Sequence, residues 1–147
     1  MGRAEDLYKR VLADGEQAID NFIADRQSEE LFIDFKQSAD RGKGLKLHNV
    51  DRSTIAKAIS GFGNSEGGII VWGVDCRDHP EKGDVATQKV PLENPKRFAS
   101  WLEGVVSGCT IPPHPGVRHH AIEVEGGEGY VVTYVAKSTD KGARASR

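Results

Sequence analysis

Gly61-Phe-Gly-Asn-Ser-Glu-Gly-Gly68 runs directly into Ile69-Ile-Val-Trp-Gly-Val-Asp75. The first stretch stops a helix and turns the chain, because glycine and asparagine accept the backbone angles of helix ends. The second stretch is apolar on both faces until Asp75, the pattern of a central strand covered on either side. Before them, Ile55, Ala58, Ile59 and Phe62 make the buried stripe of a helix over about 52–63, with Asp51 as its N-cap. A glycine-rich turn invites a phosphate-loop reading. The P-loop and the dinucleotide fingerprint are both strand–loop–helix, however, and this loop runs from helix to strand. A phosphate here would meet a helix C-terminus, where the dipole is unfavourable. ATP and NAD are therefore not expected, and the plain reading is a tight helix-to-strand turn.

Working outward, residues 30–36 read as a strand, with Leu31, Ile33 and Phe35 on one face. Glu30, Phe32, Asp34 and Lys36 share the other. Residues 4–25 read as one helix that Gly15 bends. Residues 38–50 and 75–93 are polar and read as long loops, the first of them mobile. Asn94-Pro95 sets an N-cap and a proline at the first helical position; Phe98, Trp101, Leu102 and Val105 follow at helical spacing. Pro112, Pro113 and Pro115 forbid further helix. Residues 117–125 and 129–136 read as strands of a hairpin about Glu125-Gly-Gly-Glu128. The order is α-β-α-β-α-β-β, an α/β (α+β) domain with a single mixed β-sheet and packed helices. Residues 1–27 form an N-terminal helical segment, 28–138 the domain and 139–147 a flexible tail.

The chain has 147 residues and a net charge of −2, which argues against a strongly basic nucleic-acid binder. The distribution matters more than the sum. Residues 1–30 carry eight acids against four bases, whereas 36–57 carry six bases against two acids. Arg41, Lys43, Lys46, Arg52 and Lys57 in that stretch can hold phosphates; the plain reading is a solvated loop and helix face. No apolar run approaches the roughly 20 residues that span a bilayer, and MGRAEDLYKR has no export-signal character. A cytoplasmic protein is expected, with Cys76 and Cys109 reduced. Cys76-x-x-His79 has metal-like spacing that Cys109 and His114 could complete, a weak signal for zinc. No nucleophile elbow is present.

The densest polar constellation is Glu29-Glu30 … Asp34-Phe35-Lys36. Strand alternation sets Asp34 beside Lys36, with Glu30 on the same face. Carboxylates so placed can hold a hard divalent ion, and a lysine beside them can steady phosphate charge. Asp75 sits at the end of the central strand, where α/β proteins commonly place ligands. The plain alternatives are a solvent-facing ion pair and an ordinary loop-start aspartate.

Together, Glu29 through Lys36, Ile59-Ser-Gly-Phe-Gly-Asn-Ser-Glu-Gly-Gly68 and Ile69 through Asp75 resemble the Schlafen AlbA-type (AlbA_2) domain family. The resemblance covers about residues 28–138. Its nuclease members build a metal-dependent ribonuclease site from three carboxylates, which fall here on Glu29, Asp34 and Asp75. Strand parity prefers Glu30 to Glu29, so both remain candidates. The resemblance implies Mg²⁺ or Mn²⁺ on Glu29, Asp34 and Asp75, with Lys36 steadying charge, and endoribonuclease activity on structured RNA such as tRNA, with DNA possible. It also implies a homodimer, because full-length members clamp RNA between two related lobes. Asp34 departs from the family's usual glutamate, and the chain ends where many members continue into a further strand. The alternatives are a non-catalytic DNA- or RNA-binding module of a regulator and a protein-interaction or oligomerisation domain.

Overall fold

A computed structural model of the chain describes residues 3–29, 32–63, 67–79, 83–109 and 116–137. Helices α1 (Arg3–Asp14) and α2 (Glu16–Ala24) come first, then strand β1 (Ile33–Lys36) and helix α3 (Asn49–Gly63). Strands β2 (Gly67–Trp72), β3 (Val74–His79) and β4 (Gly83–Lys89) lead to helix α4 (Pro95–Cys109). Strands β5 (Val117–Glu123) and β6 (Gly129–Ala136) close the fold.

The main sheet runs β1-β2-β6-β5. β1 is parallel to β2, with α3 as the crossover between them, while β6 is antiparallel to both β2 and β5. The expected mixed sheet with packed helices is therefore the observed architecture. Every residue of β2 is buried, as its two-sided apolar pattern requires. Ile69 and Val71 point into a core with Tyr8, Ile19 and Phe22 from α1 and α2. Ile70 and Trp72 point into a second core with Ile55 and Ile59 of α3 and with Phe98 and Leu102 of α4. Helices thus cover both faces of the sheet.

The segment 75–93, read as a loop from the sequence, contains an addition: β3 and β4 pair as a separate two-stranded ribbon. Only Val85 and Ala86 of β4 are buried, too thin an apolar signal to mark a strand. Gly73 makes the ribbon possible. Its φ of +107° bends the chain out of β2, and a Cβ there would lie 2.7 Å from the Tyr130 ring. Asp75 is consequently a ribbon residue and not the last residue of the central strand. Gly15, at φ +62°, divides the expected single N-terminal helix into α1 and α2.

The segment 38–48, expected to be mobile, is tied at several points. Asp51 is not the N-cap of α3. It lies inside the first turn, 1% exposed, and accepts from Ser38 Oγ at 2.5 Å and the Ala39 N–H at 3.0 Å. The Arg41 Nε donates to the Pro91 carbonyl at 2.8 Å, and its guanidinium pairs with Glu128 at 2.6 Å. Leu47 is buried. The expected cap of α4 is present, with Asn94 Oδ1 accepting from the Arg97 N–H at 3.0 Å. Among the described residues no helix is long and apolar enough to cross a membrane.

Candidate functional site

β1 is an edge strand, and two features follow from that position. In a parallel pair the N–H groups of alternate residues face the neighbour, and the others face outward. The outward-facing Phe35 N–H finds no strand. It donates instead to Glu29 Oε2 at 3.0 Å. Glu29 lies before the regular strand, where its own N–H donates to the Asp84 carbonyl of the ribbon at 2.9 Å. The ribbon thereby fixes Glu29 at the open edge of β1. Glu30, the parity candidate, lies outside the described residues, as does the Asn64-Ser65-Glu66 portion of the turn.

The side chains of Asp34 and Lys36 lie on the α3 face of β1, the Lys36 Nζ 3.5 Å from Asp34 Oδ2. Strand alternation therefore holds as read. The Asp34 and Glu29 carboxyls are hydrogen-bonded to each other, and they do not ionise alike. Burial, and then the hydrogen bond and negative charge of Glu29, raise Asp34 to about 7, against a smaller lowering by Lys36. Burial alone would raise Glu29 too, but hydrogen bonds from Asp34, the Phe35 N–H and Cys76 outweigh it and hold Glu29 below its usual value. The pair titrates as a unit, with one shared proton near neutrality. The Cys76 Sγ lies 3.5 Å from Glu29 Oε2, and burial and that carboxylate push the thiol up to about 12. Cys76 therefore stays a neutral donor.

Asp75 is not brought to this pair. Its Oδ2 accepts from the Arg77 Nε at 2.7 Å. Among the described residues, no three histidine, cysteine or acidic side chains stand close enough to hold a metal ion. The weak zinc pattern rests in part on residues outside the described set, and its Cys76 is engaged by Glu29.

A cleft of about 530 Å³ opens beside the pair, between β1 and α3. Asp34, Lys36, Thr54, Lys57, Gly61 and Phe62 line it. Lys43, Lys46, Arg52 and Lys57 are exposed, and none has an ion-pair partner among the described residues. Arg41 differs, because its guanidinium is spent on Glu128 and Pro91. Cys76 is the site residue that sequence reasoning missed. The sequence offered Cys76 only as part of a weak zinc pattern with His79, and nothing local joined it to Glu29, 47 residues earlier.

A prediction follows from the shared proton. Asp34 is raised from 3.8 to about 7, so the folded protein binds more protons than the unfolded chain in that window. Its contribution to stability is present below about pH 4 and lost as pH rises through about 7. Asp34→Asn keeps the hydrogen-bonding shape and removes the repulsion. It should raise the melting temperature at pH 8, less so at pH 5, and make little difference at pH 4 or below, read by thermal melts. A variant less stable than wild type at pH 8 would contradict the carboxyl pair.

The family profile described as Schlafen, AlbA_2 matches residues 29–145. A search of curated proteins finds no match. Among solved structures, the N-terminal domain of a RecG-related protein from Nitrosomonas europaea is 23% identical, with a TM-score of 0.44. That match covers 97% of this chain and 79% of the other. A Corynebacterium diphtheriae protein is 17% identical with a TM-score of 0.45; the match covers 90% of this chain and 26% of the other.

Proposed function

The chain belongs to the Schlafen AlbA_2 family, and from that premise we propose that it binds nucleic acid in the cleft between β1 and α3 and cleaves RNA there. The observation that carries the reading is the Asp34–Lys36 pair lining a cleft that Lys57 also lines, with Glu29 beside Asp34 and the Asp34 carboxyl raised by burial and by Glu29. Perturbed carboxyls concentrate where chemistry is done. A purely structural ion pair would leave Asp34 ionised well below neutrality.

The phosphodiester backbone would lie along α3, with Lys57 and Lys36 against its oxygens and Lys43, Lys46 and Arg52 beyond. Structured RNA such as tRNA is favoured over DNA because the family's nuclease members take it. Glu29, the ionised partner, is aimed by the Phe35 N–H and the Cys76 thiol. Its Oε2 is suited to take a proton from an attacking hydroxyl or water. Asp34, protonated near neutrality, can return one to the leaving oxygen. Lys36 Nζ would balance the charge that builds on the phosphorus oxygens.

A divalent ion, Mg²⁺ or Mn²⁺, fits this pair. The proton that burial, the hydrogen bond to Glu29 and its negative charge keep on Asp34 would be displaced by a dication, and Asp34 would then serve as a ligand in place of its acid role. Mg²⁺ commonly takes one or two protein carboxylates and keeps its waters. Glu29 and Asp34 would hold it, and Asp75 would join only by leaving Arg77. When bound, such an ion supplies Lewis-acid activation of the phosphodiester.

A salt-titrated gel-shift assay tests the binding. Wild type should bind tRNA with an affinity that falls as salt rises, and Lys36→Ala with Lys57→Ala should flatten that slope by about 2. Absence of binding at low salt would leave the protein-interaction reading. The proposal includes a cytoplasmic location and a homodimer, since one domain offers a single lobe of a clamp. A monomer mass by light scattering of the same samples would remove the dimer.

A further inference from the structure

Leu45 is 99% exposed, while Leu47, two residues on, is 2% exposed. A single exposed leucine on a loose loop would mean nothing. This loop is not loose. The Gly42 N–H donates to Asp40 Oδ1 at 2.9 Å, and the Lys43 N–H to the Asp40 carbonyl at 3.0 Å. The Arg97 guanidinium donates to the Gly42 carbonyl at 2.6 Å, and Leu47 is anchored in the core beside Ile55 and Phe98. The tip Lys43-Gly44-Leu45-Lys46 is therefore held out from a fixed base at both ends. Its apolar side chain is flanked by two exposed lysines, with exposed Arg52 close in sequence.

The tip also leads to the cleft. Val50, itself 58% exposed, begins a stripe on α3 that continues through Thr54, Lys57 and Gly61. These positions are spaced four, three and four apart and so lie along one side of the helix. The last three line the cleft beside Asp34. Val50 and Lys57 are about 10 Å apart along the axis, the span of a few nucleotides. Exposed cations, an apolar tip among them and, five residues on, the start of a helix stripe that ends at the cleft follow one another along the chain.

We propose that this tip is a base-contacting finger: Leu45 packs on an unstacked base of the bound RNA while Lys43, Lys46 and Arg52 hold the phosphates on either side. Apolar side chains used against bases in this way open or recognise unstacked positions. The proposal rests on the nucleic-acid reading above and adds the element that would choose where along the RNA the chain sits.

The test uses the whole chain and a tRNA-like hairpin RNA carrying 2-aminopurine in its loop. Wild type, Leu45→Ala, Leu45→Phe and the double variant Lys43→Ala with Lys46→Ala are titrated at several salt concentrations. Leu45 is exposed, so its variants should melt as wild type does. Leu45→Ala should weaken binding about tenfold at every salt concentration with the slope unchanged, the sign of a lost apolar contact. It should also abolish the 2-aminopurine fluorescence change. Leu45→Phe should restore both. The lysine double variant should reduce the slope by about 2 and leave the fluorescence change at saturation. Wild-type binding with Leu45→Ala indistinguishable from it would overturn the finger alone. No RNA binding by wild type at low salt would overturn the nucleic-acid reading with it. Anionic lipid vesicles form the control arm. Vesicle binding that depends on Leu45, with RNA binding that does not, would assign the tip to a membrane surface and overturn the proposal.

Discussion

Asp34→Ala should reduce metal-dependent tRNA cleavage by about 100-fold or more while leaving tRNA binding nearly intact. The magnitude is that of a lost general acid or base, with any loss of a held ion added to it. Binding should survive because the proposed phosphate contacts of Lys57 and the loop cations do not involve the Asp34 carboxyl, and Lys36, released from its ion pair with Asp34, keeps its charge. Glu29→Gln should be as damaging, because the ionised member of the pair would be gone and the Phe35 N–H would meet a neutral acceptor. The measurement is a denaturing gel with Mg²⁺, Mn²⁺ or chelator. Asp75→Ala on the same gel decides a further point. Here Asp75 is held by Arg77, so its removal should cost less than the removal of Asp34. An equal loss would mean that Asp75 leaves Arg77 and joins the pair when substrate arrives. Activity undiminished in both Asp34→Ala and Glu29→Gln would leave a binding module without catalysis.

The largest expected effect on stability is at Trp72. Its indole is fully buried, meets the Phe98 ring edge-on at 5.2 Å and donates from Nε1 to Thr133 Oγ1 at 3.1 Å. The same hydroxyl lies 2.8 Å from His119 Nδ1, so one buried threonine joins three strands. Trp72→Ala opens a cavity in the core between the sheet and α3–α4 and removes that donor. Such truncations cost about 3–5 kcal/mol. For a chain of this size that is a fall of roughly 10 °C or more in melting temperature. Urea unfolding followed by far-UV circular dichroism measures it. A loss under about 1 kcal/mol would mean that Trp72 is not the centre of that core. Trp72→Phe should fall between, since it keeps most of the volume and loses the hydrogen bond.

Local sequence signals carried much of this. The two-sided apolar run 69–72, the stripe Ile55–Ile59 on α3, the Asn94 cap and the hairpin about residues 125–128 all appear where periodicity and turn chemistry place them. Asp34 and Lys36 share a face because a strand alternates, and that needs no tertiary information. The ribbon was not legible. Val85 and Ala86 alone are buried along β4, and its remaining polar side chains give no period. The loop 38–48 looked mobile because its fasteners are distant in sequence. Pro91, Glu128 and Arg97 hold it, and no local pattern announces them.

The sequence by itself determined the layered α/β order, the buried strand, the acid-x-lysine face of β1 and the basic stretch. Each follows from steric period or charge within a few residues. Only the tertiary structure decided which carboxylate stands beside Asp34. Glu29 reaches it because the ribbon binds the Glu29 N–H and the unpaired edge of β1 offers the Phe35 N–H to its carboxylate. Only the tertiary structure put Cys76 there and left Asp75 with Arg77, through the turn at Gly73. The shared proton is a property of that meeting, since burial and repulsion act between groups that the chain brings together only when it folds.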